Sequence, residues 1–375
     1  MNNKLLYEIS NFGTPIYFYL KEKILENSEK LKNYFKNVNI FYAVKANFNL
    51  KILEIFKEQG FGFEVVSKGE LKLALSTKID PKKIIFNGNG KTYEEVKFAI
   101  ENGIEFFNFD SLDQLLLLEE TAKALNKTIK ALMRIKPLVD VETHSHLQTG
   151  TFTSKFGLSD EEIDEVIDIY KKLKNTKIIG IHSHIGSNIK DEEPFIKSAY
   201  RVLKISKVIE NLEILNFGGG FSINMNFKEI PKLYNELSNK YQIFIEPGRY
   251  LIADAGFILT KVISIKKGYP YDFLVIDCGM SELIRPALYS AYHPIRSLEN
   301  RNSEKFYIVV GPICESSDVF GEYFLPNMKL NELLIIENCG AYGYSMSSNY
   351  NGREKPLEIL IENEKLEIIN ERKFL

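Results

Sequence analysis

The chain has 375 residues, 45% of them hydrophobic, and a formal charge of −2, so it can bury a large core and lacks the basic footprint of a nucleic-acid or anionic-lipid binder. Its three cysteines, Cys278, Cys314 and Cys339, are spaced too widely for a disulfide framework or a CxxC metal site, and no metal is expected. The amino-terminal segment lacks the order of a signal peptide and no apolar run reaches membrane-spanning length, which predicts a soluble cytoplasmic protein.

In chain order, an early strand at 16–20 and a helix at about 21–36 lead into a regular alternation. Strands are predicted at 39–45, 61–66, 84–88, 105–109, 130–135, 178–184, 212–217 and 242–246. Helices at 50–59, 69–77, 93–102, 112–125, 160–174, 194–210 and 227–240 separate them, and Ser111 with Gln114 suggests a capping box on the fourth. Eight strands with their helices in about 230 residues predict an α/β fold, a closed (β/α)8 barrel. An open doubly wound sheet is the alternative, but it would usually end after fewer strands. Beyond about residue 250 the pattern changes. Strand-like runs at 256–265, 271–276, 306–310, 333–336 and 357–361 follow one another with little helix between them. They predict a mostly antiparallel domain, with the strand at 16–20 joining it. The expected division is 21–250 for the barrel and 1–20 with 251–375 for the β-rich domain.

Four segments fall at the carboxyl ends of predicted barrel strands, where barrel enzymes carry their chemistry. Lys45 closes the apolar run FYAVK, and a dehydrated amine there would have a lowered pKa suited to Schiff-base chemistry. His182 and His184 end the sixth strand, Gly218, Gly219 and Gly220 follow the seventh, and Glu246-Pro247-Gly248-Arg249 follows the eighth. Singly, each has a plain reading: a strand-end lysine, a rim histidine, a tight turn, a turn with a surface ion pair. Together a lysine, glycines that let backbone N–H groups approach an anion, a flat imidazole and an acid describe a pyridoxal-phosphate site. Three loops of the second half are unusually polar: 277–289 with Arg285 beside Tyr289, 311–318 with Cys314 and Glu315, and 340–351 with Tyr342. Each of these also reads as a turn on its own.

With these motifs in hand, the chain resembles the diaminopimelate decarboxylases over nearly its whole length, within the barrel-type pyridoxal-phosphate enzymes. FYAVKAN at 41–47, HSHIGSN at 182–188, GGGF at 218–221 and EPGR at 246–249 resemble the wider decarboxylase family. CGMSELIRPALY at 278–289, GPICESSD at 311–318 and GAYGYSMSSNYN at 340–351 resemble the diaminopimelate branch. The resemblance implies decarboxylation of meso-2,6-diaminopimelate to L-lysine, with pyridoxal 5′-phosphate on Lys45. It further implies that His184 stacks on the cofactor ring and Glu246 pairs with the ring nitrogen. Ser187, Gly218, Gly219, Gly220 and Tyr342 would hold the phosphate, with Gly248 and Arg249 alongside. Arg249, Arg285, Tyr289, Glu315 and Tyr342 would contact substrate, and Cys314 would be a catalytic acid supplied across a homodimer.

Several positions depart from the family pattern: Glu64 and Lys68, Asn188, Ser281 with Glu282, and the segment 144–150. Glu64 keeps a charge but lengthens its reach, so cofactor contacts there are expected to shift. Charge counting favours diaminopimelate, whose far end carries an ammonium and a carboxylate, the complement of Glu315 and Arg285. The alternatives are a decarboxylase of lysine, ornithine or a carboxylated polyamine precursor, an amino-acid racemase, and a non-catalytic cofactor-binding relative.

Overall fold

The computed structural model describes residues 3–139 and 155–372. The departing segment 144–150 lies outside the described residues. The chain divides into two compact units, residues 28–250 and residues 1–27 with 251–375.

Helix α1 (Asn3–Ser10) and strand β1 (Ile16–Leu20) precede α2 (Lys21–Tyr34), which spans the division between the units. The alternation then runs β2 (Val38–Ala43), α3 (Leu50–Glu58), β3 (Gly62–Val65), α4 (Lys68–Ser76), β4 (Ile84–Phe86), α5 (Tyr93–Glu101) and β5 (Phe106–Phe109). It continues with α6 (Leu112–Ala124), β6 (Ile129–Ile135), α7 (Asp160–Tyr170), β7 (Thr176–Ser183), α8 (Glu193–Ile205), β8 (Ile214–Asn216), α9 (Ile230–Leu237) and β9 (Gln242–Ile245). Strands β2 to β9 close a parallel barrel, with β2 paired back onto β9. The fold is therefore the (β/α)8 barrel the alternation predicts.

Barrel closure depends on matching side-chain volumes. Phe41, Ile85, Leu132, Ile179, Ile214 and Phe244 form one interior cluster, with the Phe41 and Phe244 rings 4.8 Å apart. These bulky groups require small neighbours. A Cβ on Gly62 would land on the Phe41 ring, and one on Gly180 would meet Leu132 and Ile214. Layers of large side chains relieved by glycine fill the interior as a packed core.

The helix starts are defined by side-chain caps. Thr92 with Glu95 and Ser159 with Glu162 make complete capping boxes on α5 and α7. On α6 only half of the expected box forms: Ser111 accepts from the Gln114 N–H at 3.3 Å. The Gln114 carboxamide oxygen instead accepts from Lys91 Nζ at 3.0 Å, and that bond takes it from the cap.

The other unit is built on a nine-stranded sheet. After α10 (Arg249–Ile252) it contains β10 (Gly256–Lys266), β11 (Asp272–Ile276), α11 (Arg285–Tyr289), β12 (Ile295–Ser297), β13 (Glu304–Val310) and β14 (Val319–Pro326). It ends with β15 (Leu333–Ile336), β16 (Leu357–Glu362) and β17 (Lys365–Asn370). Pairing is mostly antiparallel, with β1–β16 and β11–β13 parallel. As expected, β1 joins this sheet, between β10 and β16. Its residues Ile16 and Phe18 enter a core with Leu259, Ile335 and Ile359, against Leu6 and Ile9 of α1. Among the described residues, no helix is long and apolar enough to cross a membrane.

Candidate active site

The lysine leaves its strand earlier than the sequence suggests. β2 ends at Ala43, and a single 3-10 turn, Val44–Ala46, presents Lys45 beyond it. Tyr42 anchors the turn from below, donating to the Asn47 carbonyl at 3.1 Å while its ring stacks on Phe56. Asn49 then caps α3 by accepting from the Lys51 N–H. The surroundings of the amine also differ from the dehydrated, apolar setting expected. The Lys45 side chain keeps 39% of its exposure, and Nζ lies 3.1 and 2.9 Å from the two oxygens of fully buried Glu64. The longer acid at this position is the lysine's ion-pair partner.

From Glu64 a buried polar network crosses the strand ends. The Asn87 amide donates to Glu64 Oε1 at 2.9 Å and to both oxygens of Glu246 at 3.1 Å, bridging two carboxylates. Asn108 donates to the Asn87 carbonyl oxygen. Asn216 donates to Glu246 Oε1 at 2.7 Å, and His182 Nε2 lies 3.2 Å from Oε2. Burial pushes the Glu246 carboxyl up, but His182, Lys45 and Asn216 outweigh it and hold it well below the usual carboxylate range. Glu246 is thus an ionised acceptor. His182 Nδ1, buried, has no hydrogen-bond partner among the described residues.

His184 is the neutral partner in this arrangement. Burial first, then the positive Arg134 and Lys45, drive its pKa well below the ordinary histidine value. Its Nδ1 accepts from the Gly219 N–H at 3.1 Å, so the ring proton sits on Nε2. The glycine run after β8 has no room for side chains. Gly218, at φ +64°, would place a Cβ 2.7 Å from the Ser183 carbonyl, and Gly220, at φ +114°, one 2.7 Å from the Gly186 carbonyl. A Cβ on Gly219 would overlap the Glu246 carbonyl oxygen. The Gly218 N–H is taken by Asn216 Oδ1 at 2.9 Å, and Arg249 donates to Ser187 Oγ at 3.1 Å. In the buried turn that carries Gly248, the Pro247 carbonyl accepts from the Ala43 N–H at 3.0 Å, tying it to the lysine strand.

Lys45, Glu64, His182, His184 and Glu246 line one cleft of about 460 Å³, together with Arg134. The guanidinium carbon of Arg134 lies 4.7 Å from the Phe156 ring centroid. Sequence reasoning assigned no role to Arg134, Asn87, Asn108 or Asn216. Asparagine at a strand end reads as a turn residue, and only the parallel register of the barrel makes these side chains neighbours. Two departures find local explanations: Asn188 adopts φ +63°, which asparagine tolerates, and Lys68 lies 4.8 Å over Phe98.

The remaining candidates belong to the sheet unit. Asp318 pins the 311–318 loop, accepting from the Met280 N–H at 2.6 Å and the Ile313 N–H at 2.7 Å. Cys314 is thereby left exposed at the tip, its N–H on Asn351 Oδ1, and Glu315 accepts from the Tyr350 hydroxyl. Glu282, at a departing position, braces the neighbouring loop by accepting from the Gly279 N–H at 2.7 Å and Arg353 Nε at 2.8 Å. Arg285, 6% exposed, has its guanidinium carbon 5.8 Å from the Tyr289 ring centroid, and Tyr342 adopts φ +58°.

The barrel residues suit pyridoxal phosphate in their donor set: an amine at the cleft, a neutral imidazole, an ionised acid held by three donors, and a glycine turn that excludes side chains. Residues 21–253 match the family described as pyridoxal-dependent decarboxylase, pyridoxal binding domain. The chain is 39% identical to the diaminopimelate decarboxylase of Campylobacter jejuni, over 96% of this chain and 94% of that one. It is 35% identical to that of Archaeoglobus fulgidus, over 96% and 90%. The chain belongs to the diaminopimelate decarboxylase family. A crystal structure of the Helicobacter pylori member complexed with L-lysine superposes with a TM-score of 0.93 at 34% identity, covering 99% of this chain and 97% of that one. Family membership makes the chain a pyridoxal-phosphate-dependent lyase.

Proposed function

We propose that the protein decarboxylates meso-2,6-diaminopimelate to L-lysine and CO2. The observation that carries the reading is the cleft in which Lys45, neutral His184 and ionised Glu246 come together, in a chain of this family. When bound, pyridoxal phosphate supplies the electron sink for the bonding pair released with CO2. Lys45 would hold its aldehyde carbon, His184 would face its ring, and Glu246 would accept from its ring nitrogen. Ser187, Gly218, Gly219, Gly220, Gly248 and Tyr342 would hold its phosphate, with Arg249, which donates to Ser187, alongside.

The carboxylate character of Glu246 is set in advance. Asn87, Asn216 and His182 surround it with donors, so it accepts a further proton donor without rearranging. His184, held neutral by its burial, would add no positive charge beside the cofactor. Glu64 keeps the Lys45 amine in place until it is needed. For the substrate, Arg285 binds the distal carboxylate and Glu315 the distal ammonium, with Arg249, Tyr289 and Tyr342 completing the contacts. These remote contacts orient the departing carboxylate and contribute to rate as well as affinity. Cys314 returns a proton to the α-carbon, acting in the site of the second chain of a homodimer in the cytoplasm. Of the alternatives, a racemase needs a second base in place of the Cys314–Glu315 loop, and a lysine or ornithine decarboxylase has no use for Arg285.

The test is CO2 release from meso-diaminopimelate, L-lysine and L-ornithine, assayed side by side with added pyridoxal phosphate. Release from diaminopimelate alone is expected. Release confined to lysine or ornithine would overturn the substrate assignment, and no release from any, with the cofactor's absorbance present, would favour a racemase or a binding protein.

A further inference from the structure

Arg285 has a specific neighbour for which the proposed reaction has no role. Its Nε donates to His293 Nε2 at 3.4 Å, and His293 Nδ1 lies 2.9 Å from the Glu337 carbonyl oxygen. The proton positions follow from donor and acceptor chemistry alone. A carbonyl only accepts, so Nδ1 carries the proton; a guanidinium only donates, so Nε2 offers its lone pair. The sheet fixes this geometry. His293 stands just before β12 and Glu337 just after β15, and the two strands pair antiparallel with Ile295 opposite Ile336. The Tyr323 hydroxyl holds the His293 carbonyl at 2.8 Å, and His293 is 2% exposed.

The consequence lies at the other end of the arginine. With Nε engaged, a side-on fork through Nε and one terminal nitrogen is blocked, leaving the two terminal nitrogens, which have no hydrogen-bond partner among the described residues. These present an end-on pair of donors that matches the two oxygens of one carboxylate. At 3.4 Å the His293 contact is long for a hydrogen bond, so its contribution is orientation. We propose that His293 is a positioning residue that sets Arg285 for end-on recognition of a carboxylate, and with it the preference for a substrate whose far end carries one. The inference rests on the reading of Arg285 as the distal-carboxylate ligand.

Two substitutions separate the two nitrogens. His293→Asn retains a donor where Nδ1 stands, so the bond to Glu337 can persist, but removes the acceptor facing Arg285. His293→Gln places an amide oxygen where Nε2 stands and restores that acceptor. Assayed as holoenzymes, His293→Asn should raise the KM for meso-diaminopimelate about tenfold or more, exceeding any fall in kcat, with cofactor absorbance unchanged. His293→Gln should recover most of the loss. Equal KM values for the two variants, a KM within about twofold of the parent for His293→Asn, or loss of folding in both by thermal melting would each overturn the proposal. Arg285→Ala serves as the reference. If that variant keeps the parent KM, the substrate reading of Arg285 fails; if it loses affinity while His293→Asn does not, only the role of His293 fails.

Discussion

At the residue scale, Lys45 and Glu64 meet because adjacent parallel strands end at matching heights. The β2–β3 register sets Ala43 opposite Glu64, and the turn that follows brings the amine back onto the carboxylate. The sequence identifies Lys45, His184 and Glu246 because each stands in a distinctive motif, whereas Asn87 and Asn216 stand in none. Yet Asn216, after His182 and Lys45, helps hold the acid in its ionised form, and this gives a signed prediction. A carboxyl held low in the native state contributes stability above its unfolded pKa of about 4.3, and loses it as pH falls through the native value. Asn216→Leu removes a donor to Glu246 and should cost about 2 kcal/mol at neutral pH. It should also raise the native pKa of Glu246, so acid unfolding, followed by circular dichroism, begins at higher pH than in the parent. An unchanged acid midpoint would count against the network. Lys91 makes the opposite case. Burial first pulls its pKa down to about 7, with Asp110 and Glu95 opposing and Arg134 assisting. Below that value the native state carries a buried charge, and the cost is relieved as pH climbs from about 7 towards the unfolded value of about 10.4. The parent should therefore gain stability across that window relative to Lys91→Met. Parallel melting-temperature profiles for the two proteins would refute the assignment.

At the scale of elements, every barrel strand was legible from apolar runs separated by amphipathic stretches, because a parallel strand buried on both faces leaves that pattern. The shorter or half-exposed strands β12, β14 and β17 were not. In β14 exposed Glu322 and Phe324 alternate with buried Phe320, Tyr323 and Leu325, and the break at Gly321 interrupts the period. Helix caps were legible in type but not in detail: the Ser111 box is incomplete because Lys91, distant in sequence, engages Gln114. The loop after β8 is where a local motif most depends on tertiary context. Three glycines alone read as a turn, but the structure supplies the reason for each, a carbonyl standing where a side chain would be. Gly219→Ala should therefore displace the Glu246 backbone, destabilise the protein by several kcal/mol and weaken cofactor retention. Gly90→Ala is the matched control, since nothing lies within 4 Å of a Cβ there. Its melting temperature should stay within a degree or two of the parent. Equal melting temperatures for the two variants would remove the steric explanation.

At the scale of the whole molecule, the change of pattern near residue 250 reveals the change of architecture, and the polar loops of the sheet unit carry the candidates Arg285, Cys314, Glu315 and Tyr342. What a single chain's sequence cannot encode by periodicity is which copy a loop serves. Cys314 stands exposed on a loop whose shape Asp318 fixes from within, through the Met280 and Ile313 N–H groups. A thiol held outward on a braced loop suits delivery to a second chain, and a closed two-fold dimer would make that exchange reciprocal. Complementation tests it. In such a dimer, Lys45→Ala and Cys314→Ala variants refolded alone should each be nearly inactive. In a mixed dimer, one site then lacks both groups and the other retains both. Random mixing makes about half of the dimers mixed, each with one intact site of two, so activity should return to about a quarter of the parent value. If instead Cys314 serves the site of its own chain, every site in the mixed dimer carries one lesion and no activity returns. Activity after co-refolding, measured against each variant refolded alone, therefore distinguishes a shared site from a self-contained one.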